Sequence, residues 1–83
     1  LINRVVADDE VQAAAYALAE RMAENGPLAM RKAKQVMLAS SGRPILDGFA
    51  AEDEAIKVVL RSRDAREGSK AFMEKRKPKF TGE

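Results

Sequence analysis

Apolar residues recur at helical spacing along most of the chain. From about residue 9 to residue 24 they form one stripe, made of Val11, Ala15, Leu18 and Met22. A spacing of three or four residues is typical of an amphipathic helix, so this stretch predicts the first helix. Asp8 or Asp9 can cap its start, and the Asn25–Gly26 pair can end it.

A short breaker separates the second predicted helix from the third. Pro27 begins the second helix, because a proline at the first helical position loses no hydrogen bond, and the sequence SSGRP ends it. The third helix is expected from near Ile45 to about Arg61. It has a face of large apolar residues and a further set that widens this face: Leu46, Phe49, Ile56 and Leu60, then Ala51, Ala55, Val58 and Val59. We expect such a helix to be covered on two sides.

The fourth helix is expected over residues 63–76. Asp64 lies three residues before Glu67, which is the spacing of a capping box with Asp in the cap role. Gly68 inside the helix costs about 1 kcal/mol relative to alanine, so we expect it to permit close packing against a neighbour. The residues expected to face inward are Ala65, Gly68, Phe72 and Met73; the last two are the large side chains of this set. Pro78 prevents the helix from continuing and leaves the last residues extended.

The opening sequence LINRVV is short and β-branched, and it predicts a strand over residues 1–6. The chain as it stands is therefore expected to be all-α, with about four helices after one short strand. Its 83 residues allow one small domain, and an aromatic share of 5% without tryptophan makes the core thin. Because the chain starts at Leu1 and not at Met, we interpret it as a piece of a longer protein that depends on further chain or on a partner.

Composition excludes several kinds of chemistry. The chain has no cysteine and no histidine, which excludes disulfides, thiolate nucleophiles, histidine-based triads and nearly every zinc site. No metal is therefore expected. No apolar run approaches the roughly 18 residues of a membrane span, and no signal-peptide pattern is present. A soluble, cytoplasmic protein without a membrane partner is expected.

The positive charge is concentrated near the end of the chain. Residues 61–83 carry eight basic and four acidic side chains, whereas residues 1–30 carry two basic and five acidic ones. The sequence KAFMEKRKPKF places four cations within five positions, namely Lys75, Arg76, Lys77 and Lys79, between Phe72 and Phe80. Residue types alone favour a solvated tail that complements the negative end of the last helix. They leave open a phosphate site with an aromatic wall, suited to a nucleotide-like ligand.

Other polar clusters give weaker evidence for a functional site. The run Glu52–Asp53–Glu54 occupies consecutive helix positions, whose side chains diverge, so we interpret it as a solvated face. The serines have no histidine to activate them, and Ser62 suits a helix end better than a nucleophile. A nucleic-acid partner is not expected, because the basic excess is modest and aromatic residues are few.

The order of these segments resembles that of a known family. LINRVV, then NGPLAMRKAKQVM, then SRDAREGSKAFMEKRKPKF are similar to the C-terminal portion of the crotonase family, the enoyl-CoA hydratase/isomerase superfamily. The last segment is the most specific, since it matches the family pattern at Asp64, Glu67, Gly68, Ala71, Phe72, Lys75, Arg76, Pro78 and Phe80. The similarity covers the whole chain but only the final third of a typical member.

The resemblance implies an architecture. Residues 1–6 would be the end of the last core strand, and residues 7–83 a C-terminal helical segment that joins subunits and closes over coenzyme A. The whole protein would have a larger α/β spiral fold of the ClpP/crotonase type, whose catalytic core is absent from this chain. A homotrimer or a dimer of trimers, completed by the missing core, is the expected assembly.

The resemblance also implies a function and a set of site residues. The expected reaction is hydration of 2-enoyl-CoA thioesters, of the fatty-acid oxidation type, with coenzyme A as part of the substrate and no separate cofactor. Phe72 and Lys75 match the family's contacts to the adenosine end of coenzyme A, with Arg76 and Lys77 as lesser phosphate helpers. The residues matching a wall of the acyl pocket are Ile56 and Leu60. The catalytic groups belong to the missing core, so the chain alone should be inactive.

Two questions stay open at the level of sequence. The C-terminal motif does not separate hydratases from isomerases, thioester hydrolases or decarboxylases of the family. The alternative to the family role is a free-standing helical module without catalysis, which would grip a protein partner with the apolar face around Phe49 and Ile56.

Overall fold

The computed structural model of the chain describes residues 2–83, and it is all-helical as predicted. A short 3₁₀ turn at Asp8–Glu10 leads into four helices: α1 (Val11–Ala23), α2 (Pro27–Ser40), α3 (Ile45–Leu60) and α4 (Arg63–Met73). Residues 2–6 form no strand, so the predicted strand is wrong for that part, and Leu1 lies outside the described residues. A lone extended segment has no neighbouring strand to pair with its backbone groups. That these residues end a core strand in a longer chain stays a prediction.

Helix α4 begins at a serine cap. The Ser62 hydroxyl oxygen accepts a hydrogen bond from the Ala65 backbone N–H at 3.0 Å, which makes Ser62 the helix-end residue that its sequence context indicated. The prediction that Asp64 caps this helix is wrong. Asp64 is the second residue of α4, and its carboxylate binds the end of the chain instead.

Helix α4 ends at Met73, three residues before the predicted end, because the backbone turns left-handed at Lys75, with φ of +51°. The Arg76 N–H donates to the Ala71 carbonyl at 3.0 Å, and the Lys75 N–H donates to the Phe72 carbonyl at 3.2 Å. These two bonds form a Schellman motif, which closes a helix by satisfying its last carbonyls. Glycine usually occupies the left-handed position, and here it is a lysine.

Helices α2 and α3 form an antiparallel hairpin and make the only extensive helix–helix contact among residues 2–83. Small residues bring them together: a Cβ placed on Gly48 would lie 3.3 Å from the Ser40 side chain. The half-buried residues of this contact are Ala29, Lys32, Val36 and Ser40 on α2, and Gly48, Ala51, Ala55 and Val59 on α3. The large face of α3 is exposed instead, namely Leu46, Phe49, Ile56 and Leu60. Small side chains predominate in this contact, and they let the two backbones approach closely.

The molecule is a thin plate of 42 × 40 × 18 Å. Its radius of gyration is 15.9 Å, against about 12 Å for a compact domain of this length. Its accessible surface is 7427 Å², against about 4900 Å² for a compact monomer of the same mass. Ala71 is the one fully buried apolar side chain among residues 2–83. No helix in this part of the chain combines the length and the apolar character that crossing a membrane requires.

Candidate functional site

The last ten residues, 74–83, which we call the tail, fold back along α4. The start of that helix holds them through Asp64, whose side chain is buried. One carboxylate oxygen accepts the Thr81 N–H at 2.7 Å, and the other accepts the Gly82 N–H at 2.8 Å. The Asp64 N–H donates to the Glu83 carbonyl at 3.0 Å. The tail is therefore tied to α4 by main-chain bonds that do not depend on the side chains at positions 81–83.

One turn further along α4, Glu67 makes the second attachment of the tail. It receives a two-pronged ion pair from Arg76, with Nη1–Oε1 at 2.6 Å and Nη2–Oε2 at 3.0 Å. The same Oε1 accepts the Lys79 backbone N–H at 2.8 Å. The hydrogen bonds from Arg76, followed by the one from Lys79, lower the pKa of Glu67 from 4.5 to about 2. Glu67 is therefore an anion engaged with the tail.

Arg76 is the centre of this cluster. Besides Glu67, it binds Glu74 through Nε at 2.6 Å and the Lys77 carbonyl through Nη1 at 3.2 Å. Hydrogen bonding to Glu67 and Glu74 raises the pKa of Arg76 further above its usual value. These contacts use four of the five guanidinium N–H donors. Arg76, which the sequence predicted as a phosphate helper, thus has one N–H donor left for a ligand.

The two phenylalanines that flank the basic run have opposite surroundings. The Phe80 ring lies between two glycines, 3.5 Å from where a Cβ on Gly68 would stand and 3.8 Å from the corresponding point on Gly26. The neighbour expected at Gly68 is thus Phe80 of the same chain. Phe72 is 86% exposed, so the prediction that it faces inward is wrong for this chain. Phe80 anchors the tail, whereas the Phe72 ring is available for contact.

The predicted coenzyme A contacts, Phe72 and Lys75, lie at the C-terminal end of α4, one helical turn apart. Both are exposed. Within residues 2–83, neither Lys75 nor Lys77 forms an ion pair, in contrast to Arg76. This end of the helix therefore offers an uncovered ring and two unneutralised ammonium groups, the chemistry that suits a phosphorylated ligand with a planar base. That it contacts coenzyme A stays a prediction.

The two predicted residues of the acyl-pocket wall lie elsewhere, on α3. Ile56 and Leu60 line an apolar groove of about 380 Å³ between α2 and α3. Val36 and Met37 face the same groove from α2. The structure thus separates the apolar groove residues from the charged end of α4. Their role in an acyl pocket stays a prediction.

Sequence reasoning missed the tail attachments. Asp64 and Glu67 were singled out as a capping pair, although each binds backbone N–H groups 12 to 18 positions further along the chain. The signal that could have found them is the spacing of the two carboxylates, three residues apart on one helix face, followed by an arginine and a proline that reverses the chain. Among residues 2–83, no group of acidic side chains is arranged to hold a metal ion.

Comparison with known proteins gives one consistent picture. A model of the enoyl-CoA hydratase/isomerase family matches residues 1–83. A Thermus thermophilus protein described provisionally as an enoyl-CoA hydratase is 39% identical over 80 residues, 96% of this chain and 32% of that protein. Carnitinyl-CoA dehydratase of Salmonella typhi is 35% identical over 86 residues, 99% of this chain and 33% of that one.

Solved structures of proteins with the same family description have a similar fold. A structure from Mycobacterium abscessus, described provisionally as an enoyl-CoA hydratase/isomerase, superposes with a TM-score of 0.90 at 40% identity, over 99% of this chain and 34% of that one. The chain spans about a third of the length of the relatives it matches.

Proposed function

Because the chain belongs to the enoyl-CoA hydratase/isomerase family, we propose that it is the coenzyme A-contacting and subunit-joining segment of a protein that acts on acyl-CoA thioesters. The proposed reaction is hydration of a 2-enoyl-CoA. The observation that carries the proposal is the exposed Phe72–Lys75 end of α4, held in place by the tail. Of the two relatives described above, one is named as a hydratase of enoyl-CoA and the other as a dehydratase of carnitinyl-CoA. In this proposal coenzyme A is part of the substrate.

Charge and shape support the contact to coenzyme A. The adenosine end of the molecule carries phosphates and a planar base. Lys75 offers a point charge to phosphate, and the Phe72 ring offers a flat face to the base. Lys77 is a second cation of the tail that forms no ion pair within residues 2–83. Arg76 contributes less in this proposal, since two carboxylates already offset its charge.

We expect the 83 residues alone to be inactive. Addition of water to an enoyl thioester needs a group that accepts or delivers a proton and donors that stabilise the developing enolate. The two carboxylates of α4, Asp64 and Glu67, are committed to backbone N–H groups and to Arg76. The catalytic step is therefore assigned to the two thirds of the protein that its relatives have in addition.

The exposed apolar surface supports the subunit-joining part of the proposal. The accessible surface of 7427 Å² exceeds that of a compact monomer by about 2500 Å². A standard protein interface buries roughly 800 Å² on each partner, so the excess suffices for more than one covering surface. We propose that the core of the same protein covers one part and a neighbouring subunit, in a trimer or a dimer of trimers, covers another.

The proposal is tested by coenzyme A affinity in the full-length protein, meaning this chain joined to a core like that of its relatives. We expect Lys75→Ala and Phe72→Ala each to weaken binding by about 1–2 kcal/mol, or about fivefold to thirtyfold in Kd. Matched controls are Lys34→Ala and Tyr16→Ala, a lysine and an aromatic that are exposed on α2 and α1. Unchanged affinity in both the Lys75 and the Phe72 variant would remove the assigned role.

The free-standing interaction module remains a second candidate, favoured by the exposed α3 face around Phe49 and Ile56. The two candidate functions differ in whether α3 must be covered by the core of the full-length protein in order to be stably folded. Hydrogen exchange should show α3 protected only in the full-length protein if the family role holds. Equal protection of α3 in the isolated chain would favour the independent module.

A further inference from the structure

We propose that Glu67 is a positioning residue for coenzyme A: acting through Arg76, it fixes the turn that presents Lys75 to the ligand. Glu67 itself would not touch the ligand. This inference rests on the proposed function, because it takes Lys75 to be a ligand contact, and it assigns a role to a carboxylate that the sequence suggested only as part of a helix cap.

Lys75 has an unusual backbone conformation. With φ of +51°, it is the one non-glycine residue among residues 2–83 with a positive φ. A side chain at such a position crowds its own backbone, so the conformation persists only where surrounding contacts impose it. The Schellman bonds from Lys75 and Arg76 impose part of it. Two backbone bonds at an exposed helix end fray easily, so a further restraint is needed.

Arg76 supplies that restraint by binding on both sides of Lys75. Its guanidinium contacts Glu74 immediately before Lys75 and the Lys77 carbonyl after it. Alone, these contacts would only make the turn compact. Glu67 joins this compact turn to the rigid part of α4, through two bonds to Arg76 and one to the Lys79 N–H. The position of Lys75 relative to α4, and thus to Phe72, depends on Glu67.

Electrostatics gives Glu67 a second effect on the same turn. Lys75, Arg76, Lys77 and Lys79 lie within five positions and repel one another. Glu67 and Glu74 offset the charge of Arg76. The repulsion that would open the turn is thereby reduced, while Lys75 and Lys77 form no ion pair with any residue from 2 to 83. Arg76 thus shapes the turn, whereas Lys75 and Lys77 are exposed.

The test is a double-mutant cycle on coenzyme A affinity in the full-length protein, with Glu67→Gln and Lys75→Ala alone and combined. We expect Glu67→Gln alone to raise Kd about threefold to tenfold. In the Lys75→Ala background the same change should have no further effect, because the contact it positions is gone. The matched control is Glu54→Gln, which removes a carboxylate that also binds a cation at 2.6 Å but lies on α3. It should leave Kd unchanged in both backgrounds.

The double-mutant cycle has outcomes that would overturn the inference. A loss of affinity from Glu67→Gln that persists in full in the Lys75→Ala background would show general loosening of the fold and would overturn the inference. So would an unchanged Kd in Glu67→Gln when Lys75→Ala weakens binding. If Lys75→Ala itself has no effect, the contact that the proposed function assigns to Lys75 fails, and that failure is distinguishable from the first two.

A second variant keeps the inference testable if Glu67→Gln does not fold. Arg76→Lys retains the positive charge but loses the planar fork that binds Glu67 with two bonds. Positioning predicts a loss of affinity that disappears in the Lys75→Ala background. A direct contact between Arg76 and phosphate predicts a loss that adds to that of Lys75→Ala, and this result would count against the inference.

Discussion

At the scale of single residues, the tail of this protein depends on a lysine in a conformation that lysine disfavours. Left-handed backbone costs an L-residue about 1–2 kcal/mol, and glycine adopts it freely. The chain nevertheless has Lys75 at this position, with φ of +51°. Strain of this kind tends to persist at sites where the side chain is needed for function. The exposed ammonium group of Lys75 is the part of the residue that glycine would lack.

Replacement of Lys75 therefore separates stability from binding. We expect Lys75→Gly to raise the free energy of unfolding by about 1 kcal/mol, because the left-handed strain is relieved. The same variant should bind coenzyme A as weakly as Lys75→Ala, which loses the ammonium group without relieving the strain. Thermal unfolding and coenzyme A titration of the full-length variants measure the two effects. A Lys75→Gly protein that is less stable than the parent would contradict this account of the turn.

At the scale of helices, α4 packs against its own tail more closely than against the other helices. Phe80 lies over Gly68 and Gly26, while Asp64 and Glu67 bind the backbone of the tail. The sequence predicted that Gly68 permits close packing against a neighbour, and Phe80 is that neighbour. A Cβ on Gly68 would stand 3.5 Å from the Phe80 ring, which is ordinary van der Waals contact. The glycine is compatible with the packing but not demanded by it.

We accordingly expect Gly68→Ala to stabilise the protein. Alanine is favoured over glycine inside a helix by about 1 kcal/mol, and the methyl group would meet Phe80 without a clash. Gly68→Leu is the matched variant, because a larger side chain must displace the ring and should destabilise. Chemical denaturation of the two full-length variants measures whether each change raises or lowers the free energy of unfolding. If Gly68→Ala destabilises as Gly68→Leu does, Phe80 packs more tightly than the structure indicates.

At the scale of the whole molecule, the chain exposes most of its large apolar side chains. α2 and α3 meet mainly through small residues, and larger ones remain exposed, among them Met37, Leu46, Phe49 and Leu60. α1 shows the same pattern, since its stripe of Val11, Leu18 and Met22 is exposed. Contiguous apolar surface beyond a few hundred Å² marks a surface that another molecule covers. The plate shape of 42 × 40 × 18 Å provides two broad faces for this purpose.

The isolated 83-residue chain should therefore associate with itself. We expect sedimentation well above the monomer mass of 9.1 kDa, together with strong binding of a dye that reports exposed apolar surface. Phe49→Lys combined with Met37→Lys should reduce both, whereas Tyr16→Lys, at an exposed aromatic on α1, should reduce them less. A monomer that binds no dye would mean that the exposed face needs no partner.

Local signals in the sequence were sufficient for the helices and for the family. Pro27, the Asn25–Gly26 pair and the sequence SSGRP mark their ends because such residues act on the backbone within one or two positions. The motif from Asp64 to Phe80 was enough to identify the family. The same local reasoning predicted a strand at the start of the chain, and residues 2–6 do not form one, because a strand depends on a partner that local sequence does not contain.

The amino-acid sequence by itself thus determined where the helices lie, which family the chain belongs to, and that its charge collects near the end. Only the tertiary structure decided how the tail is used. Asp64 binds residues 81 and 82 and does not cap its helix, and Phe80 is anchored while Phe72 is exposed. Arg76 is engaged by two carboxylates, whereas Lys75 has no ion pair in the described part of the chain, residues 2–83. These outcomes depend on the chain reversal after α4, which brings together groups 9 to 18 positions apart. Spacing along a helix indicates which side chains share a face, but not which distant segment returns to meet that face.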